Sequence, residues 1–195
     1  AENEIILGYD VGGTKLGIGL ASSDGKILGK DRIENKDTYP EDILPQMAEK
    51  GRRLVADAGL KMSDVKGFGI SAPGPADIAN GVLTAPTNNV HWRNVPIQSY
   101  LENELQIKGC FENDANCAAL AEWFFGAGRG CHDFIYLTMS TGIGGGIAVA
   151  AGAPAAIAAT SEDPKAFGKA LIFVALGESI ALYGVVISIL ILNKV

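Results

Sequence analysis

The sequence is poor in the residues that build disulfide frameworks, metal sites and nucleic-acid interfaces. Its 195 residues include three cysteines, Cys110, Cys117 and Cys131, and only two histidines. An odd number of cysteines without CxxC spacing argues against a disulfide framework and a zinc site, and we expect reduced thiols in a cytoplasmic setting. Only 16 lysines and arginines face 22 acidic residues, for a net charge of −6, and they form no basic stripe. Nucleic acid is therefore not expected as a partner. The acidic start AENEIILGYD runs directly into a strand pattern, so no signal peptide is expected.

The first 140 residues alternate between strand and helix patterns. The predicted strands cover three segments within 4–34, joined in part by an Asp24-Gly25 turn, and then 65–75, 107–113 and 133–140. Helices are predicted at 41–58, where Ile43, Leu44, Met47, Leu54 and Val55 follow helical spacing, and at 96–105 and 115–126. A loop rich in asparagine and proline is predicted over 76–94. Alternating strands and helices predict an α/β sheet with crossover connections.

The stretch DVGGTK, residues 10–15, lies at a turn between two predicted strands. Gly12 and Gly13 permit left-handed backbone geometry and a close approach of backbone N–H groups to an anion. Thr14 adds a hydroxyl donor, Lys15 adds a positive charge, and Asp10 could hold Mg²⁺ through water. The stretch fits a phosphate-binding turn or an ordinary hairpin turn, and it is not a Walker loop.

Two further stretches extend this chemistry. STGIGGG, residues 140–146, repeats the glycine and threonine pattern after another strand, with Thr141 and Gly142 as candidate phosphate ligands. Asn113 and Asp114 close a strand and open a helix. A carboxylate there could accept a proton from a bound hydroxyl, or it could simply cap the helix.

Five collinear motifs together resemble the ROK family of sugar kinases, over residues 5–146. They are GYDVGGTKLGIGL, GISAPGPAD, TNNVHWRNVP, FENDANCAALAE and IYLTMSTGIGGG. The resemblance implies an α/β, RNase H-like lobe of the actin/hexokinase superfamily and transfer of the ATP γ-phosphoryl group, with Mg²⁺, to a glucose-like hexose. By position, Asp114 would be the general base, residues 10–15 with Thr141 and Gly142 would bind nucleotide, and four residues would contact sugar: Gly74, Asn88, Asn89 and Asn113.

The sequence departs from this family after Gly146. ROK proteins are about twice as long, and the second lobe implied by the resemblance carries a zinc motif, further sugar ligands and the adenosine-binding turn. None of these is present after Gly146. The resemblance therefore leaves open an active kinase, an inactive one, or a non-catalytic sugar-sensing module, and it implies a homo-oligomer.

The last third of the chain has a different texture. Residues 171–192 are apolar over roughly 33 Å of helix, enough to cross a membrane, with Glu178 near the middle. A second helix of small residues is predicted over 142–159. The segment resembles the proteolipid of rotary ATPases, which implies a helical hairpin, an ion-carrying role for Glu178 and a membrane partner. The alternative is a buried helix of a soluble protein. We therefore expect two domains, 1–146 and 147–195.

Overall fold

The first 34 residues form an antiparallel meander, as their alternating pattern predicts. In the computed structural model, which describes residues 4–86, 89–139 and 143–149, the strands are β1 (Ile5–Val11), β2 (Lys15–Ser22) and β3 (Ile27–Glu34). Every second residue of β2 is buried, so this strand turns one face to the core. Gly25, in the turn between β2 and β3, has φ of 89°, a conformation that glycine adopts without a steric penalty.

Two further strands extend this sheet in parallel with β1. Strand β4 (Val65–Ala72) pairs with β1, and a later strand, Gly109–Asn113, pairs with β4. Because parallel strands run in one direction, the carboxyl ends of all three meet at the same edge of the sheet. The register places Asp10 beside Ser71 and Ser71 beside Glu112. This edge is called the carboxyl edge below.

The segment between β4 and that later strand contains two very short strands and a helix. Strands β5 (Ala76–Asp77) and β6 (Val82–Leu83) pair as a small hairpin, and the strand Gly109–Asn113 is therefore β7. The sequence predicts only a loop at β5 and β6. The five-stranded sheet thus has the order β3-β2-β1-β4-β7.

Two helices pack against this sheet and close the core. Helix α1 (Pro40–Asp57) contacts β2 and β3, and helix α2 (Ile97–Leu105) contacts α1 and β7. The residues of α1 that are buried recur every three or four positions, as the sequence predicts; they are Ile43, Leu44, Met47, Ala48, Gly51, Leu54 and Val55. The hydroxyl of Tyr9 reaches α1 and donates a hydrogen bond to the carbonyl of Met47 at 3.2 Å.

The chain divides into two compact units, residues 1–114 and 115–195. The second contains most of helix α3 (Asp114–Phe125) and the antiparallel strands β8 (Asp133–Met139) and β9 (Ile143–Val149). The indole N–H of Trp123 donates to the carbonyl of Cys131 at 2.9 Å and closes the connection between α3 and β8.

Strand β9 corrects one sequence prediction. A helix is predicted over 142–159, yet residues 143–149 pair with β8 as a strand. Three consecutive glycines, 144–146, each disfavour a helix by about 1 kcal/mol relative to alanine. Glycine also allows close packing, since a Cβ on Gly146 would lie 2.6 Å from Ala119 Cβ and 2.7 Å from the Ala115 carbonyl oxygen.

Most of the predicted helical hairpin lies outside the described residues. This applies to residues 150–159 and to the apolar stretch 171–192 with Glu178. Within the part of the chain that the structure describes, no helix has both the length and the apolar character needed to span a bilayer.

Candidate functional site

The turn between β1 and β2 is built so that only glycine fits at its first position. The backbone N–H of Gly12 donates to the Lys15 carbonyl at 3.0 Å, and a Cβ on Gly12 would lie 2.5 Å from that oxygen. Thr14 and Lys15 are exposed, whereas Gly12 and Gly13 are half-buried. The turn is therefore tight on its inner side and presents a hydroxyl and an ammonium group outward, which suits an anionic ligand.

Asp10 ends β1 beside this turn, and its side chain is exposed. The hydroxyl of Ser71, on the neighbouring strand β4, donates to Asp10 Oδ1 at 3.1 Å and orients the carboxylate. In residues 4–86, 89–139 and 143–149, no cluster of three or more histidine, cysteine or acidic side chains could hold a metal ion. A single carboxylate still fits Mg²⁺, which commonly takes one or two protein carboxylates, and water and substrate phosphates as its other ligands.

Asn89 supplies a buried polar group beside a cavity. The residue is 6% exposed; its Nδ2 lies 3.5 Å from the carbonyl oxygen of Asn35, and its Oδ1 has no hydrogen-bond partner among the described residues. A cavity of about 280 Å³ is lined by Ala85, Pro86, Asn89, Val90 and Arg93. A buried amide oxygen without a partner costs about 1–3 kcal/mol, so a ligand hydroxyl that donated to it would recover stability.

Asn113 and Asp114 lie where β7 ends and α3 begins. Asn113 pairs with Ala72 of β4, so both residues lie at the carboxyl edge. Asp114 is the first residue of α3, and its side chain is exposed. The positive end of the helix dipole favours a negative charge at this position.

Gly74 follows β4 at the same edge. It is exposed, and a Cβ added to it would meet no described atom within 4 Å. Packing therefore does not require glycine here, and the space beside the backbone is open to a ligand.

The structure brings most of the predicted site residues to one edge of the sheet. Strands in a sheet are about 4.8 Å apart, so the ends of β1 and β7, separated by β4, lie about 10 Å from each other. A ligand that extends from the turn at residues 12–15 to Asp114 fits this distance. Asn88, Thr141, Gly142 and Glu178 lie outside the described residues.

Sequence reasoning missed two polar residues that contact this site. Ser71 could have been noticed as the one hydroxyl in the otherwise apolar stretch of β4. Asn35, which ends β3, is fully buried and donates from Nδ2 to the Gly12 carbonyl at 2.7 Å. A lone asparagine after a strand usually indicates a turn, so the sequence carries no comparable signal for it.

Ligands bind beyond the carboxyl ends of parallel strands in open α/β sheets. Here that edge combines a glycine turn, oriented carboxylates and a buried amide. Fold and site together define a lobe of the actin/hexokinase-like class.

Comparison with known proteins identifies the family. The ROK family model matches residues 6–154, and the chain belongs to the ROK family. A glucokinase from Thermotoga maritima is 40% identical over 146 residues, and a beta-glucoside kinase from Listeria monocytogenes is 35% identical over 142 residues. Each match covers 73% of this chain but only 44% and 46% of the relative, so the chain spans less than half their length.

Solved structures agree with this assignment. A ROK hexokinase from Thermus thermophilus superposes with a TM-score of 0.67 at 34% identity, covering 75% of this chain and 47% of that one. A ROK family glucokinase from Streptomyces griseus, in complex with glucose and AMPPNP, has a TM-score of 0.60 at 32% identity, covering 75% and 45%.

The end of the chain matches a different family. The family model of the ATP synthase C-type proteolipid matches residues 135–191. The two matches overlap over residues 135–154, a range that includes most of β8 and all of β9.

Proposed function

We propose that residues 1–146 are the sugar-binding and phosphate-binding lobe of an ATP-dependent ROK kinase that transfers the γ-phosphoryl group to a hydroxyl of a glucose-like hexose. The observation that carries this proposal is the carboxyl edge, where the turn at residues 12–15 and Asp114 lie at opposite sides of one cleft-sized gap. The names of the relatives, a glucokinase and a beta-glucoside kinase, support a sugar as the acceptor.

The proposed roles follow from the chemistry of each group. Residues 10–15, together with Thr141 and Gly142, bind the nucleotide, with Asp10 reaching Mg²⁺ through water. Gly74, Asn88, Asn89 and Asn113 bind the sugar. Bound Mg²⁺ and ATP would supply the phosphoryl group and neutralise its charge. The Asp114 carboxylate takes the proton of the sugar hydroxyl as its oxygen bonds to the γ-phosphorus and the bond to the ADP oxygen breaks.

Replacing Asp114 by asparagine tests this role. Asp114→Asn keeps the shape of the side chain but removes its ability to accept a proton, so glucose-dependent ATP turnover should fall about 10²- to 10⁴-fold. Glucose binding, measured by calorimetry, should change much less. Asp57→Asn is the matched control, because Asp57 is an exposed carboxylate at the far end of α1.

Two outcomes would contradict the proposal in different ways. Equal turnover by Asp114→Asn and the parent chain would rule out Asp114 as the base. A parent chain that binds glucose but shows no turnover would instead favour the non-catalytic sugar-sensing module.

The match to the ATP synthase proteolipid family supports a second proposal, for the C-terminal segment. We propose that residues 147–195 form a proteolipid-like domain in which Glu178 binds an ion and neighbouring copies complete the site. Because β9 runs on to Val149 and the family matches overlap there, the junction falls within residues 135–154.

Carbodiimide labelling tests this second proposal. A carboxyl group in apolar surroundings is protonated at neutral pH, since burial disfavours its charge, so a hydrophobic carbodiimide should modify Glu178. Na⁺ or raised pH should protect it, and Glu178→Gln should abolish the labelling. Mass spectrometry of peptides would locate the adduct. Labelling of Glu178 by a water-soluble carbodiimide along with surface carboxylates, without ion protection, would refute the membrane role.

A further inference from the structure

Asn35 has no role in the proposed chemistry, yet it is bonded to the segments that carry the proposed ligands. Its side chain is fully buried at the end of β3. Its backbone N–H donates to the Thr14 carbonyl at 2.8 Å, and Nδ2 donates to the Gly12 carbonyl at 2.7 Å. Its Oδ1 accepts from the Thr38 hydroxyl at 2.6 Å, and its carbonyl lies 3.5 Å from Asn89 Nδ2. The turn at residues 12–15 is therefore held at two of its carbonyls by one residue.

The side-chain chemistry at position 35 is specific. The Gly12 carbonyl needs a donor, and the Thr38 hydroxyl needs an acceptor, about one short side chain away from the same backbone. An aspartate would turn an acceptor toward the Gly12 carbonyl, and an apolar residue would leave both groups without this partner. Buried polar networks hold a single arrangement when every member is satisfied, and they are costly when one member is lost.

The same residue connects the turn to the loop that contains Asn89. Thr38, which donates to Asn35, accepts a hydrogen bond on its carbonyl from the indole N–H of Trp92 at 3.2 Å. Trp92 is fully buried, and its backbone N–H donates to the Asn89 carbonyl at 2.9 Å. A continuous series of contacts thus runs from the turn at residues 12–15 through Asn35 and Thr38 to the loop of Asn89.

We infer that Asn35 is a positioning residue that fixes the phosphate-binding turn and the sugar-binding loop in one mutual arrangement. The inference rests on the proposed function for the ligands of the two segments, but the contacts themselves belong to the free protein. Through Nδ2 it holds the Gly12 carbonyl, so that the N–H groups of the turn keep their direction. Through Thr38 it anchors Trp92, and with it the backbone that presents Asn89 Oδ1 to the cavity.

Hydrogen exchange in the full chain without ligand tests the anchor directly. Asn35→Ala should accelerate exchange at the Gly12 amide and at the Trp92 indole, because both segments lose the same support. Ser22→Ala is the matched control: Ser22 is also a buried polar residue, and it lies at the opposite end of the sheet, bonded to Asp24 and to the Lys26 carbonyl. It should leave both rates unchanged.

Binding of two probes, tripolyphosphate and glucose, tests the consequence for the site. Asn35→Ala should weaken both roughly tenfold, the effect expected from losing one well-placed hydrogen bond. Thr38→Val keeps the bond from Asn35 to Gly12 and should weaken glucose alone. Thr38→Ser restores the hydroxyl and should restore glucose binding. This division between probes would not arise from a general loss of stability.

Each outcome decides a separate question. If Asn35→Ala leaves the exchange rates and both affinities at parent values, or if Ser22→Ala causes the same losses, Asn35 is not a positioning residue. If the parent chain binds neither probe, the proposed function fails, and the exchange rates alone decide on Asn35. Acceleration in Asn35→Ala but not in Ser22→Ala then supports the anchor, and equal rates overturn it.

Discussion

At the scale of single residues, Gly12 shows how a steric requirement and a binding function coincide. Its N–H closes the turn on Lys15, and its carbonyl is held by Asn35, so both polar groups of its backbone are occupied inside the protein. The groups left outward belong to the residues that follow. Glycine is needed for the closure of the turn, whereas the outward side chains supply the contacts to an anion.

Alanine at position 12 should therefore damage both stability and binding. The added Cβ of Gly12→Ala would lie 2.5 Å from the Lys15 carbonyl oxygen, so the turn must shift. We expect a loss of about 1–3 kcal/mol in the free energy of unfolding, measured in urea, and weaker binding of tripolyphosphate. Gly19→Ala is the control, because a Cβ there meets no described atom within 4 Å. Equal effects at both positions would contradict the steric explanation.

The residues that the sequence reveals are those with a local signature. Asp10 and the glycines of the turn stand together in six residues, and Asn113 with Asp114 marks a strand-to-helix junction. Ser71 contacts Asp10 across 61 positions of sequence, through a parallel strand pair. Such a contact depends on which strands become neighbours, and a single sequence does not state this.

At the scale of elements, helix α1 and strand β9 illustrate when a pattern is sufficient. The apolar residues of α1 recur with helical spacing, and the helix forms where it is predicted. In β9 the small residues fit either a helix or a strand by hydrophobicity, and pairing with β8 decides in favour of the strand. The short strands β5 and β6 have two residues each, too few for any periodicity to be recognised.

Alanine substitutions in β9 distinguish a strand from a helix. In a helix, Gly145→Ala and Gly146→Ala should each stabilise the protein by about 1 kcal/mol. In the strand, Gly146→Ala would press its Cβ against Ala115 and Ala119 and should destabilise by about 1–3 kcal/mol.

Gly145→Ala is the internal control for this pair. Its Cβ meets the flexible end of Leu137 at 3.2 Å, so the neighbour can adjust and a small effect is expected. Thermal unfolding of the three chains gives the comparison. Stabilisation by both substitutions would show that β9 is wrongly assigned.

At the scale of the whole molecule, the chain combines a phosphate-binding edge with less than half the length of its relatives. The resemblance places the adenosine-binding turn in the second lobe, beyond the matched segment. We therefore expect ATP, GTP and tripolyphosphate to bind with affinities within about threefold of one another, each requiring Mg²⁺, because phosphate contacts dominate. Calorimetry with the three ligands is the measurement. A clear preference for ATP would reveal a nucleoside site in this chain.

The order of the strands also has a consequence for how the protein reaches its native state. Strands β1, β2 and β3 are joined by short turns, whereas Asp10 and Ser71 are 61 positions apart. Closing that longer loop costs roughly 2 kcal/mol more chain entropy than closing the turn between Val11 and Leu16. Local contacts form fastest during folding, so we expect the meander to nucleate first and β4 and β7 to dock later. The anion-binding turn would then exist before the cleft opposite it, and an early intermediate could already be trapped by phosphate.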